Sequence, residues 1–362
     1  MDPTAFAPGY VRAISPYQPG KPVSELEREL GIVRAVKLAS NENPLGASPG
    51  VGDAVRQALQ EVSRYPDGNG YGLKQKIAER HNVNLDQIVL GNGSNDLLDL
   101  AARAFLGPDA SAVYAQYSFA VYPLVTQATG AFGIVAPAID FGHDPKAMLS
   151  SVRSDTRVVF IANPNNPTGT FLDSGILLSF LHRLPQDVLL VLDEAYTEYL
   201  PPGSRYDSSR WLDEFPNLLI TRTFSKAYGL AGLRVGYGLA HPNVADLLNR
   251  VRQPFNVSAV AQAAAIAALD DKEFLELSYT VNRAGLAQLY AGFRTMGLEF
   301  LPSYGNFVLF KVHEGTAVYE RLLRLGVIVR PVNNYGLPEW LRVSVGIGDE
   351  NELFLHALAK SL

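Results

Sequence analysis

Between residues 87 and 239 the chain repeatedly alternates a short, mostly β-branched apolar run with a stretch of helical periodicity, and this alternation leaves few architectures open. The runs are Gln87–Leu90, Ala112–Tyr114, Arg157–Ala162, Val188–Leu192, Leu218–Thr221 and Val235–Leu239, each followed by polar or Gly-rich residues. Apolar strands alternating with helices predict an α/β fold with a mostly parallel mixed sheet sandwiched by helices. An Ala-rich stretch, Val257–Leu269, reads as a buried helix. Beyond it a long charged helical segment leads to strand patterns at Asn306–Val312, Val327–Arg330 and Leu341–Val345, which read as a smaller α+β domain. Pro3, Pro8, Pro16, Pro19 and Pro22 argue for an extended arm before the first helical stretch, Val23–Leu30. The expected organisation is an arm and part of the small domain over 1–45, a large domain over 46–265 and a small C-terminal domain over 266–362.

A chain of 362 residues can enclose a cleft between two domains. Its formal net charge of −5 offers no field for a nucleic-acid backbone or an anionic membrane. The absence of cysteine excludes disulfides, thiolate nucleophiles and zinc–thiolate sites, and fits a cytoplasmic protein. The six histidines show no close metal-ligand spacing, so no metal is expected. Met1–Ile14 lacks the charged and apolar regions of a signal peptide, and Val257–Leu269 is too short to span a bilayer.

In open α/β sheets ligands bind beyond the carboxyl ends of the strands, so chemistry is sought there. The turn Gly91-Asn92-Gly93-Ser94-Asn95 joins a strand to an amphipathic helix, and free N–H groups at such a helix start favour a phosphate. A dinucleotide fingerprint would need glycine at position 96, which is Asp96. Taken alone, the turn is equally well a Gly-rich connection with a serine cap. Asn163–Gly169 follows the next strand as a Pro-rich turn with four polar side chains. Asp193 ends another strand, where an isolated carboxylate would be read as a helix cap. Lys226 lies in Thr223-Phe224-Ser225-Lys226, with Arg234 eight residues on. One cofactor accounts for all four strand ends. Pyridoxal 5′-phosphate needs a lysine to carry it, an anion cup, a carboxylate for its pyridine nitrogen and donors for its phenolate oxygen. Zincin, nucleophile-elbow and Walker motifs are absent.

With these motifs in place, the chain resembles the fold-type I pyridoxal-phosphate aminotransferases over nearly its whole length, in particular the branch acting on histidinol phosphate. Further markers are Ser15–Pro22, Lys37–Pro44, Arg64–Gly68, Arg252–Val257, Gly326–Pro331 and Leu341–Gly346. The resemblance implies that Lys226 carries the cofactor and that Asp193 pairs with its pyridine nitrogen. Asn166 and Tyr196 would serve the phenolate oxygen, and Tyr117 would stack on the ring. Gly93, Ser94, Asn95, Thr223, Ser225 and Arg234 would form the phosphate cup, and Tyr65 would reach the phosphate of a neighbouring subunit. Arg342 would take an amino-acid carboxylate, Arg330 the substrate phosphate, and Tyr17 and Asn43 further substrate contacts. Relatives often read Gly-Ser-Asp-Glu where this chain has Gly93-Ser94-Asn95-Asp96, which leaves the side-chain roles of Asn95 and Asp96 open.

The implied reaction is transamination of L-histidinol phosphate with 2-oxoglutarate, giving imidazole acetol phosphate and glutamate with ping-pong kinetics in a homodimer with shared sites. Aromatic amino-acid transamination and threonine-phosphate decarboxylation are the competing activities. A regulator fused to a DNA-binding module would need length that this chain does not have.

Overall fold

The computed structural model describes residues 2–16, 20–31 and 35–362. Its centre is a seven-stranded sheet, β1 (Ile88–Gly91), β2 (Ser111–Ala115), β3 (Phe132–Ala136), β4 (Thr156–Ala162), β5 (Leu189–Asp193), β6 (Leu218–Thr223) and β7 (Gly236–Ala240), in the spatial order β1-β7-β6-β5-β4-β2-β3. Only β7 runs antiparallel to its neighbours; the other adjacent pairs are parallel.

The strands are apolar on both sides because both faces are covered. Ile88, Leu90, Val113, Val159, Ile161, Leu190, Leu192 and Ile220 enter one core with Leu73 and Ile77 of helix Tyr71–His81, Phe180 of helix Ser174–Arg183 and the alanines of helix Ala259–Asp270. Their alternates, Val89, Ala112, Val158, Phe160, Leu189, Val191 and Leu219, enter a second core with Leu97 and Leu98 of helix Ser94–Phe105, Tyr122 of helix Val121–Ala128 and Leu248 of helix Pro242–Val251. The period-two split assigns each residue its face. As the Ala-rich pattern implied, helix Ala259–Asp270 is buried; Ser258 caps it by accepting the Ala261 N–H.

A four-stranded antiparallel sheet, in the order Phe300–Leu301, Phe307–Lys311, Trp340–Ser344, Arg330–Pro331, packs with helices Lys272–Thr295, Gly315–Arg324 and Gly348–Ser361. Val36–Lys37 of the N-terminal segment pairs in parallel with Val327–Ile328.

Three expectations need correction. The proline-rich segment is not simply extended, since Pro3–Phe6 and Gly9–Arg12 are single helical turns. Pro3 occupies the first turn and Pro8 the cap, where no N–H is required. The strand anticipated over Val327–Arg330 divides into Val327–Ile328 and Arg330–Pro331, which lie in different sheets, and the second is an edge strand, where a proline is tolerated. Finally, β3 was not anticipated: it is the edge strand, with Phe132 and Val135 exposed, so it lacks the continuous apolar run of its neighbours.

Candidate active site

The ends of β1, β4, β5 and β6 open into one cleft, closed on its far side by the small sheet. Register brings these ends together, with Ala162 beside Asp193 and Asp193 beside Thr221. Gly236, at the start of β7, pairs with both Gly91 and Thr223 and so brings the first strand end against the sixth. A Cβ at Gly236 would lie 2.7 Å from the Ser94 nitrogen, so glycine is what permits this approach.

Ser94 and Asn95 begin helix Ser94–Phe105 and line the cleft together with Thr223, Ser225, Lys226 and Arg234. Gly93 caps the helix without a side-chain acceptor, leaving first-turn N–H groups at the cleft. The Arg234 guanidinium lies where a Gly93 side chain would stand, with Nη2 only 2.3 Å from that Cβ position. Arg234 also donates to Ser225 Oγ at 3.1 Å. The result is a cationic cup of backbone donors, hydroxyls and a guanidinium, which fits the phosphate of pyridoxal phosphate.

Asp193 is buried and accepts the hydroxyls of Tyr122, at 2.9 Å, and Thr221, at 3.1 Å. Burial pushes its carboxyl up to about 6, against the pull of those hydrogen bonds. Lys226 donates to the Ser40 carbonyl at 3.1 Å, and its Nζ stands 5.8 Å from the Tyr196 ring centre. Burial and then the Arg342 charge bring its ammonium down to about 8. Burial raises the Tyr196 hydroxyl to about 12; it accepts a hydrogen bond from Asn41 Nδ2 at 2.9 Å. Asn166 lines the cleft and accepts from Arg342, whose guanidinium also donates to the Ala39 carbonyl at 2.7 Å. Arg330 lines the cleft as well, directly opposite Arg342 in the antiparallel register, so both arginines share the face turned to the cleft.

Several expected residues stand elsewhere. Tyr117 does not line the cleft; its ring stacks on Phe141 at 5.5 Å, and its carbonyl accepts from Asn165. Phe119, two residues on, lines the cleft instead. Asn43 is buried but away from the cleft, where it holds the loop after Lys226 by donating to the Ala227 carbonyl and Ser278 Oγ. Asn41 takes the cleft-lining place. Of the polar side chains in Asn163–Gly169, only Asn166 reaches the cleft, because Asn163 and Asn165 bond within the turn and to its neighbours. Tyr65 is 82% exposed and stacked on Phe255 at 4.7 Å, outside its own chain's cleft. Tyr17 lies outside the described residues.

Sequence reasoning missed Tyr122, Asn41 and Phe119. Tyr122 had a signal only in the apolar periodicity of its helix, which does not tell a buried hydroxyl from a ring.

Residues 33–358 match the family described as aminotransferase class I and II. The chain belongs to that family. It is 61% identical to histidinol-phosphate aminotransferase 2 of Nitrosospira multiformis over 99% of this chain and 92% of that one. It is also 61% identical to histidinol-phosphate aminotransferase 1 of Thiobacillus denitrificans, over 99% and 94%. Among solved structures, a histidinol-phosphate aminotransferase from Sinorhizobium meliloti in complex with pyridoxal 5′-phosphate superposes with a TM-score of 0.91 at 30% identity, covering 99% of this chain and 97% of that one. No helix among the described residues is long and apolar enough to cross a membrane.

Proposed function

We propose that this aminotransferase interconverts L-histidinol phosphate and 2-oxoglutarate with imidazole acetol phosphate and L-glutamate, using pyridoxal 5′-phosphate held at Lys226. The observation that carries the substrate assignment is the pair Arg330 and Arg342, opposite each other across two strands at the mouth of the cleft. Two guanidinium groups suit a reaction whose partners bring a phosphate in one half and a carboxylate in the other. Arg330 takes the phosphate and Arg342 the carboxylate.

When bound, the cofactor supplies an electron sink for the charge that develops at the substrate Cα. The cup of Gly93, Ser94, Asn95, Thr223, Ser225 and Arg234 holds its phosphate. Asp193, fixed by Tyr122 and Thr221, keeps the pyridine nitrogen protonated. Asn166 and Tyr196 would donate to the phenolate oxygen, and Phe119, which lines the cleft where Tyr117 does not, would take the stacking place first assigned to Tyr117. Lys226, whose ammonium burial and the Arg342 charge make a weaker holder of its proton than an ordinary lysine, moves the proton from Cα through Nζ. The arginines orient the substrate and the enclosed walls limit competing hydrolysis.

The assignment of the segment before residue 45 to the small domain is supported by the packing of Val36 and Leu38 with Leu289, Val308 and Phe354 in one core, whereas the boundary drawn at 265 falls inside helix Ala259–Asp270, whose Ala268 and Leu269 still pack in the large-domain core. A homodimer in the cytoplasm is the setting that fits an exposed Tyr65 and a cysteine-free chain. The deciding experiment compares kcat/KM for histidinol phosphate, phenylalanine and tyrosine with 2-oxoglutarate. A clear preference for histidinol phosphate is expected. Equal or better use of the aromatic amino acids overturns the assignment in their favour, and release of carbon dioxide from threonine phosphate would point to the decarboxylase.

A further inference from the structure

Two motifs do not enter the site described above: Asp96, beside the phosphate cup, and Arg252-Gln253-Pro254-Phe255-Asn256. The structure joins them. Asp96 sits in the first turn of its helix but does not line the cleft. Its Oδ2 accepts the Asn92 N–H at 2.8 Å and the Asn256 Nδ2 at 2.7 Å. Asn256 also donates to the Leu90 carbonyl at 3.1 Å, and Asn92 Nδ2 donates to the Asn256 carbonyl at 3.0 Å. The Gly91–Asn95 turn is thereby held at both ends by the same two side chains.

The connection continues to a second element. Arg252 donates through Nη1 to Asn256 Oδ1 at 2.8 Å and through Nη2 to the Gly68 carbonyl at 3.0 Å. Phe255 lies between them in a left-handed conformation, φ 58°, with its ring stacked on Tyr65. A Cβ on Gly68 would lie 3.1 Å from the Phe255 ring. A carboxylate one residue beyond a turn that would hold a phosphate is electrostatically unfavourable there, so its presence calls for an offsetting task. Its hydrogen bonds lead away from the cleft and define that task.

We propose that Asp96 is a positioning residue which, through Asn256 and Arg252, locks the phosphate-holding turn to the turn that carries Tyr65. The inference rests on the reading above that Gly91–Asn95 holds the cofactor phosphate.

The test measures dissociation constants of pyridoxal phosphate and of unphosphorylated pyridoxal from apoprotein by quenching of intrinsic fluorescence. Asp96→Ala and Asn256→Ala should each weaken pyridoxal phosphate on the order of tenfold, the loss expected for a hydrogen bond to a charged group. The double variant should be little worse than either single one, because both break the same relay. Asp96→Asn, which keeps an acceptor oxygen, should recover most of the affinity, and pyridoxal should bind all variants nearly alike. Equal weakening of both ligands, or full additivity, overturns the inference by showing general support of the fold. Arg234→Ala separates the two layers. If it weakens pyridoxal phosphate while Asp96→Ala does not, the relay alone fails; if it leaves the affinity intact, the reading of the cup fails and this inference with it.

Discussion

Asp193, proposed above as the partner of the pyridine nitrogen, stands at a position that is costly to the fold. In the apoprotein its burial raises the carboxyl from 3.8 to about 6, so the folded chain holds this proton more tightly than the unfolded chain does. The charge therefore destabilises the fold increasingly as pH rises from about 4 to about 6, with the full cost above. Asp193→Asn, which cannot ionise, should stabilise the apoprotein by about 2–3 kcal/mol at pH 7.5, with the gain gone below pH ~4. The same variant should retain pyridoxal phosphate through the cup yet lose on the order of a hundredfold or more in kcat, since a buried charge-assisted pair is worth ~2–5 kcal/mol. Thermal melts of apoprotein across pH, set beside turnover, check both halves. A variant with normal turnover refutes the role given to Asp193. Arg330 is tested by substrate. Arg330→Ala should lower kcat/KM for histidinol phosphate by roughly tenfold to a hundredfold, the worth of a charge-assisted phosphate contact. Unphosphorylated histidinol, already without that contact, should be almost indifferent. Equal losses for the two substrates would mean that Arg330 supports the small sheet.

At the scale of elements, the strap over residues 36–43 connects the two sheets. The Leu38 N–H donates to the Ile328 carbonyl and its carbonyl accepts the Ser344 N–H, the Asn41 N–H donates to Ser344 Oγ, and the Asn41 side chain bridges Ser344 and Tyr196. Asn41 adopts φ 55°, a left-handed conformation that asparagine tolerates better than most residues. Asn41→Ala loses two buried side-chain hydrogen bonds and adds backbone strain, so a loss of about 2–4 kcal/mol is expected in urea denaturation. Asn41→Gly should cost less, because only the hydrogen bonds are lost; the opposite order would show that backbone conformation does not limit this strap. The element scale is also where the sequence was most readable. Six of the seven large-sheet strands were legible because burial on both faces makes them continuous apolar runs. The seventh, β3, was not, because Phe132 and Val135 face solvent at the edge. In the cleft, Lys226, Asp193 and Asn166 were legible as polar residues interrupting apolar strand ends. Asn41 and Tyr122 were not, since their value lies in partners 155 and 71 positions away along the chain. Phe119 was passed over for Tyr117 because the motif admitted two neighbouring aromatic residues and only the fold distinguishes them.

For the whole molecule, the open question is what covers the surface around Tyr65. Leu59, Val62, Tyr65 and Phe255 are all exposed, and Tyr65 is held against Phe255 with its ring outside its own cleft. Large exposed apolar groups near a binding site mark an interaction surface. The partner proposed for it is a second copy of the chain, in a two-fold arrangement in which each Tyr65 would reach the other protomer's phosphate cup. Subunit exchange tests this geometry. Tyr65→Ala and Lys226→Ala homodimers should each be nearly inactive. In a mixed dimer, the protomer with intact Lys226 receives Tyr65 from its partner and works, while the other site carries both defects. An equal mixture after full exchange contains half mixed dimers with one working site each, so activity should recover to about a quarter of wild type. If each Tyr65 served its own chain, every site in the mixed dimer would carry one defect and no activity would return. Sedimentation of an active monomer would likewise overturn the shared-site arrangement. Recovery that appears only on the timescale of subunit exchange, and stops when the dimers are cross-linked beforehand, would tie the activity to Tyr65 crossing the interface.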